Sequence, residues 1–162
     1  MADYPTRSLA KLEHDVQRRM AAKKGLKYPA VSFTGVQARA IGRGFGKYVE
    51  RAGLQVWACA ILPEHVHMVI GRFRLDIEQI VIQLKGDATQ QLLDEEIHPL
   101  GHFCNKNGRR PRRWARGEWS VFLETFEDIQ RAIVYVEENP AKEGKRTQRW
   151  SFVTPFDPAT IV

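Results

Sequence analysis

Two apolar runs stand almost back to back, LQVWACAIL over residues 54–62 and HVHMVIGR over 65–72, with only Pro63-Glu64 between them. The first reads as a buried strand and the second as its partner, so an antiparallel hairpin is the arrangement around which the chain must fold. Strand side chains alternate, which puts His65, His67 and Val69 on one face of the second strand and Val66, Met68 and Ile70 on the other. One face of an otherwise apolar strand therefore carries two imidazoles.

Helical patterns flank the hairpin. VSFTG (31–35) reads as a short extended piece, and a helix is predicted from about Val36 to Ala52, with Val36, Ala40, Ile41, Tyr48, Val49 and Ala52 in helical spacing. Arg39, Arg43, Lys47 and Arg51 recur every fourth residue, a stripe that suits a solvated face or a grip on a phosphate backbone. The embedded GRGFG follows no apolar strand, so it is not a dinucleotide loop; its glycines are expected to permit close packing. A second helix is predicted from about Asp76 to Glu95, facing the core with Ile77, Ile80, Val81, Leu84, Ala88 and Leu92, and SVFLE (120–124) reads as a short strand. Thr125 and Asp128 approximate a capping box for a last helix whose stripe is Ile129, Ala132, Ile133 and Val136. Asn139-Pro140 is expected to end or bend that helix, and Gly144 to stop any continuation.

The composition, 162 residues with 43% apolar and 27% charged, is that of one soluble globular domain. Residues 1–30 read as a peripheral helical segment, with a polar helix over about Leu9–Lys24, and 31–162 as the domain proper. No apolar run approaches the ~20 residues of a membrane span, and the N-terminus lacks the apolar core of a signal peptide. Two cysteines, Cys59 and Cys104, cannot form a disulfide framework or a four-thiolate zinc site, which suits a cytoplasmic setting. The net charge of +6 and pI of about 9.5 favour a polyanionic partner. Between residues 106 and 116, KNGRRPRRWAR concentrates Arg109, Arg110, Arg112, Arg113, Trp114 and Arg116. Guanidinium groups neutralise phosphates while indole faces stack on unpaired bases, so the mixture suits single-stranded nucleic acid, although a solvated basic loop has the same composition.

Two imidazoles about 7 Å apart on one strand face can converge on a divalent ion, or simply hydrogen-bond to neighbours. On the last helix, Tyr135 and Asn139 are i, i+4 neighbours along one border of the apolar stripe, a position that also fits plain packing and helix punctuation. Taken together the two pairs make a chemical pattern. An ion held by His65, His67 and the Asn139 amide oxygen would lie one helical turn from a phenol able to attack phosphorus.

The motifs LPEHVH, YVEENPAKEG and the closing QRWSF resemble those of the single-tyrosine HUH transposases, in particular their REP-associated branch, over roughly residues 31–153. His65, Val66 and His67 match the His-hydrophobe-His motif that names the group. The resemblance implies that Tyr135 is the nucleophile and that Asn139 is the third metal ligand beside His65 and His67, with Mg2+ or Mn2+ as the ion. It further implies an α+β fold with a central antiparallel sheet of the ferredoxin-like or RRM-like kind, activity on single-stranded or hairpin DNA through a 5'-phosphotyrosine, and a homodimer. Members usually begin with a strand beside the histidine strand. Here the first thirty residues read as a charged helix, so the sheet is expected to lack that N-terminal edge. Two other readings use the same residues: a hairpin-DNA binding protein that does not cleave, and a metal-dependent phosphodiesterase that uses water. Either the transposase or the binding reading places the protein in the cytoplasm, nucleoid-associated when bound to DNA, with no membrane partner.

Overall fold

The computed structural model describes residues 24, 25, 28–115 and 118–160. By internal contacts the chain divides into residues 1–30 and 31–162, and the hairpin with its flanking helices belongs to the second unit. Apart from Lys24, the helix expected over 9–24 lies outside the described residues.

Helix α1 (Gly35–Ala52) starts where the Thr34 hydroxyl accepts the Gln37 N–H and the Gln37 side chain accepts the Thr34 N–H, a reciprocal cap satisfying two otherwise orphaned donors. It ends at Gly53, whose φ of +68° lets the Leu54 N–H turn back to the Val49 carbonyl. Strands β1 (Val56–Ile61) and β2 (Val66–Ile70) pair antiparallel, with Ala60 opposite His67 and Ala58 opposite Val69. Helices α2 (Ile77–Asp94) and α3 (Phe126–Lys142) come next, then a 3-10 turn at Pro158–Thr160. No helix among the described residues is long and apolar enough to cross a membrane.

The alternation in the hairpin sorts the core into two layers. Cys59 and Ile61 of β1, with Val66, Met68 and Ile70 of β2, pack on Ile41 and Phe45 of α1 and Ile80 and Leu84 of α2. On the other face Ala58, Ala60 and Val69 meet Ile129, Ala132 and Val136 of α3. The result is an α+β arrangement, an antiparallel hairpin with helices on both sides. Alanines at 58 and 60 keep that second face low, so α3 seats against the sheet beside the row that carries His67.

Two of the three glycines of the GRGFG stretch in α1 are explained by close approach. A Cβ at Gly42 would enter the Trp150 indole, and one at Gly44 would fall 2.6 Å from the Cα of Ala88 in α2. The third, Gly46, is less crowded, with Phe152 as its neighbour at 3.4 Å.

Past the helices, the Gln148 side chain behaves like a further strand for β1. Its Oε1 accepts the Ile61 N–H and its Nε2 donates to the Ile61 carbonyl, both at 2.8 Å. Removing the amide leaves both groups of a buried residue without partners, at about 1–3 kcal/mol. Gln148→Ala should therefore lower the urea midpoint while leaving the slope of the unfolding transition unchanged.

Three expectations are corrected. SVFLE is not a strand: residues 118–124 have no regular structure and, among the described residues, no strand beside them, and Trp119 and Phe122 are 69% and 85% exposed. Apolar β-branched and aromatic residues favour a pleated, half-buried surface but need a partner ladder to form one. Nor does Asn139-Pro140 end the last helix. Pro140 is fully buried and lacks only the single bond to the Val136 carbonyl, and α3 runs on to Lys142. The stop comes at Gly144, φ +67°, where Lys145 N–H bonds the Pro140 carbonyl at 2.8 Å and Gly144 N–H the Ala141 carbonyl at 3.0 Å. Val36, placed in the core stripe of α1, sits in its first turn and stays exposed.

Candidate functional site

The continuation of α3 through Pro140 keeps Tyr135, Asn139 and Glu143 in helical register at the face that meets the hairpin. The His65 and His67 rings lie edge to face with centroids 4.8 Å apart, and the Tyr135 ring stands edge to face with His67 at 5.6 Å. The Nε2 atoms of both histidines are withdrawn from solvent. Asn139 is 7% exposed, and its Nδ2 donates to the Tyr135 carbonyl at 3.2 Å, so the amide has its NH2 side turned to the helix and Oδ1 as its remaining ligand atom. The strand motif and the helix motif thus come together, with His67 and Tyr135 in direct ring contact.

Two neighbours were not singled out by the sequence. The Glu143 carboxylate lies 3.4 Å from His65 Nε2, and the Lys142 ammonium sits 5.1 Å from the centre of the Tyr135 ring while pairing with Glu138 at 3.3 Å. The signal for Glu143 was present as a Tyr-x3-Asn-x3-Glu spacing. It was hidden by the expectation that Asn139-Pro140 would end or bend the helix. Among the described residues no three His, Cys, Asp or Glu side chains are gathered closely enough to hold a metal.

The basic segment is partly fastened to α2. Trp114 packs its ring on Phe33 at 5.3 Å and directs its N–H to the Thr89 hydroxyl at 3.4 Å, and Lys85 donates to the Ala115 carbonyl at 3.1 Å. That leaves the Trp114 indole half-buried, whereas Arg109, Arg110 and Arg112 are exposed. Arg113 is half-buried, and Arg116 lies outside the described residues. A groove of about 560 Å3 runs between this segment and α2, with Lys85, Arg110, Arg112 and Arg113 on its walls. Burial, and then the neighbouring Arg110 charge, pulls Arg113 down to about 10, so it stays cationic at neutral pH.

No family model, curated protein or solved structure matches this chain.

Beside the basic segment, His98 is pushed down to about 4, first by burial and then by the charges of Arg113 and Arg110. Its ordinary value in an unfolded chain is about 6.5. From pH 6.5 down to 4 the unfolded chain takes up a proton that the folded one refuses, so this contribution to stability is complete above 6.5 and is lost toward 4. Stability measured by urea unfolding should fall across that window, and His98→Asn should flatten the fall.

Proposed function

We propose that this chain is a metal-dependent tyrosine transferase acting on single-stranded or hairpin DNA, a transposase of the HUH type, with its hairpin and helices belonging to a ferredoxin-like or RRM-like sheet. The observation that carries this reading is the meeting of His65, His67 and Tyr135 at the hairpin–helix contact, with Asn139 one turn along the same helix. Each of these residue types is separately common. A phenol in edge contact with His67, whose ring in turn meets that of His65, is a much narrower arrangement.

The donor set suits a divalent cation such as Mg2+ or Mn2+ that accepts mixed nitrogen and oxygen ligands. His65 and His67 would hold it through Nε2 and Asn139 through Oδ1, because Nδ2 is already committed to the Tyr135 carbonyl. When bound, the ion supplies Lewis-acid polarisation of a phosphodiester oxygen. Tyr135 then attacks the phosphorus. As the O–P bond forms, the phenol gives up its proton, the bond to the 3' oxygen breaks, and that oxygen takes a proton as it leaves. The Lys142 ammonium, 5.1 Å from the ring centre, adds positive charge beside the ring as the phenol gives up its proton. The bond energy stays in the phosphotyrosine and is available for rejoining to a second 3' hydroxyl.

The partners proposed are single-stranded or hairpin DNA, held in part by Arg109, Arg110, Arg112, Arg113 and Arg116, and a second copy of the chain. The test is a denaturing gel of the protein after incubation with single-stranded hairpin oligonucleotides and Mn2+. A slow-migrating DNA–protein adduct is the expected result. Cleavage with no adduct would replace this reading with water-based hydrolysis, and binding without cleavage over a broad oligonucleotide set would replace it with a binding protein.

A further inference from the structure

The carboxylate beside His65 has no part in the chemistry set out above. Glu143 follows Asn139 by one helical turn, and its N–H still bonds the Asn139 carbonyl at 3.3 Å, so the two side chains leave α3 on the same face. Its Oε1 stands 3.4 Å from His65 Nε2, the atom that would bind the ion. The nearby acid Glu138 is turned instead to Lys142, at 3.3 Å. Two donors each about 2.0–2.2 Å from one ion, at octahedral or tetrahedral angles, lie about 3–3.5 Å apart. The His65–Glu143 separation falls in that interval, and it exceeds the roughly 2.7–3.2 Å of an ordinary N–H···O hydrogen bond.

Charge points the same way. Neutral imidazoles at 65 and 67 and the Asn139 amide bring no negative charge, whereas Mg2+ and Mn2+ are hard cations that favour carboxylate oxygen. An ion held by those three alone would keep its full double charge beside a buried Asn139, and one carboxylate cancels half of it. We propose, resting on the metal reading of this site, that Glu143 is a fourth protein ligand of the ion, binding through a carboxylate oxygen beside His65 Nε2. Among the described residues the two histidines and Glu143 are not closed around one point. His67 therefore has to turn toward a pair that is already at ligand spacing.

The experiment measures Mn2+ binding to the full chain, using electron paramagnetic resonance for the free ion and water-proton relaxation for the bound one. In Glu143→Ala the affinity should fall by at least about tenfold. Relaxation per bound ion should rise as well, because water fills the vacated position. Glu143 is exposed at the end of α3, so the variant should fold as the parent does; Glu143→Gln, which removes the charge alone, is the second variant and should also bind more weakly. Unchanged affinity in both variants overturns the proposal and leaves the set of His65, His67 and Asn139 standing. Weaker affinity with unchanged relaxation in Glu143→Ala also overturns it, making Glu143 a positioning residue that holds the His65 ring. Absence of Mn2+ binding by the parent is a separate failure, which removes the metal reading and this ligand with it.

Discussion

Tyr135→Phe should abolish the DNA–protein adduct while leaving the fold and oligonucleotide binding intact. The substitution removes one oxygen and keeps the ring, so the edge contact with His67 and the position under Lys142 are preserved. Loss of a covalent nucleophile should lower strand cleavage by at least about a thousandfold, equivalent to about 4 kcal/mol of transition-state stabilisation. His67→Ala is the instructive partner, because it removes a proposed ligand and the ring contact together. It should lose the adduct and also the rise in melting temperature that Mn2+ is expected to give the parent protein, whereas Tyr135→Phe should retain that rise. If Tyr135→Phe cleaves at the parent rate, the phenol is not the nucleophile and water is.

The elements most legible in the sequence were those whose local signals agreed with their packing. The hairpin was readable because two apolar runs flank a two-residue break, and α2 because Asp76 and Glu95 bound an apolar period that needs no tertiary correction. Elsewhere local preference was decided by distant structure. Apolar character at 120–124 has no partner strand to pair with among the described residues, and Pro140 is tolerated because its ring is buried and the single lost bond falls in the last turn. The candidate site was legible as two half-patterns, but their meeting was not. Whether α3 turned Tyr135 toward His67 depended on Ala58, Ala60, Ala132 and Val136 fixing its rotation on the sheet. His98 gave no periodic signal at all, since its environment is made by arginines twelve and fifteen residues later in a segment without regular structure.

Gly44→Ala and Gly86→Ala should move stability in opposite directions, although both place the same methyl group in a helix. At Gly86, in α2, an added Cβ meets nothing within 4 Å among the described residues. The change trades a flexible residue for the best helix former and should stabilise by up to about 1 kcal/mol. At Gly44 the same gain is outweighed by the crossing of α1 and α2. The methyl would stand 2.6 Å from Ala88 Cα, 2.7 Å from the Asp87 carbonyl oxygen and 2.8 Å from Ala88 N. These are backbone atoms held by the hydrogen bonds of α2, so no side chain can rotate away and the two helices must separate. Separation loosens the contacts of Ile41 and Phe45 with Leu84 and Ala88, in the layer that backs the hairpin opposite α3. Overpacking of this kind costs about 1–3 kcal/mol net, which for a domain of this size lowers the melting temperature by several degrees. Calorimetry of the two variants beside the parent reads the sign directly. An unchanged or raised melting temperature for Gly44→Ala would mean that α1 and α2 do not cross this closely. The double variant should depart from additivity, because Gly86 adjoins Asp87, whose carbonyl oxygen the Gly44 methyl would press on.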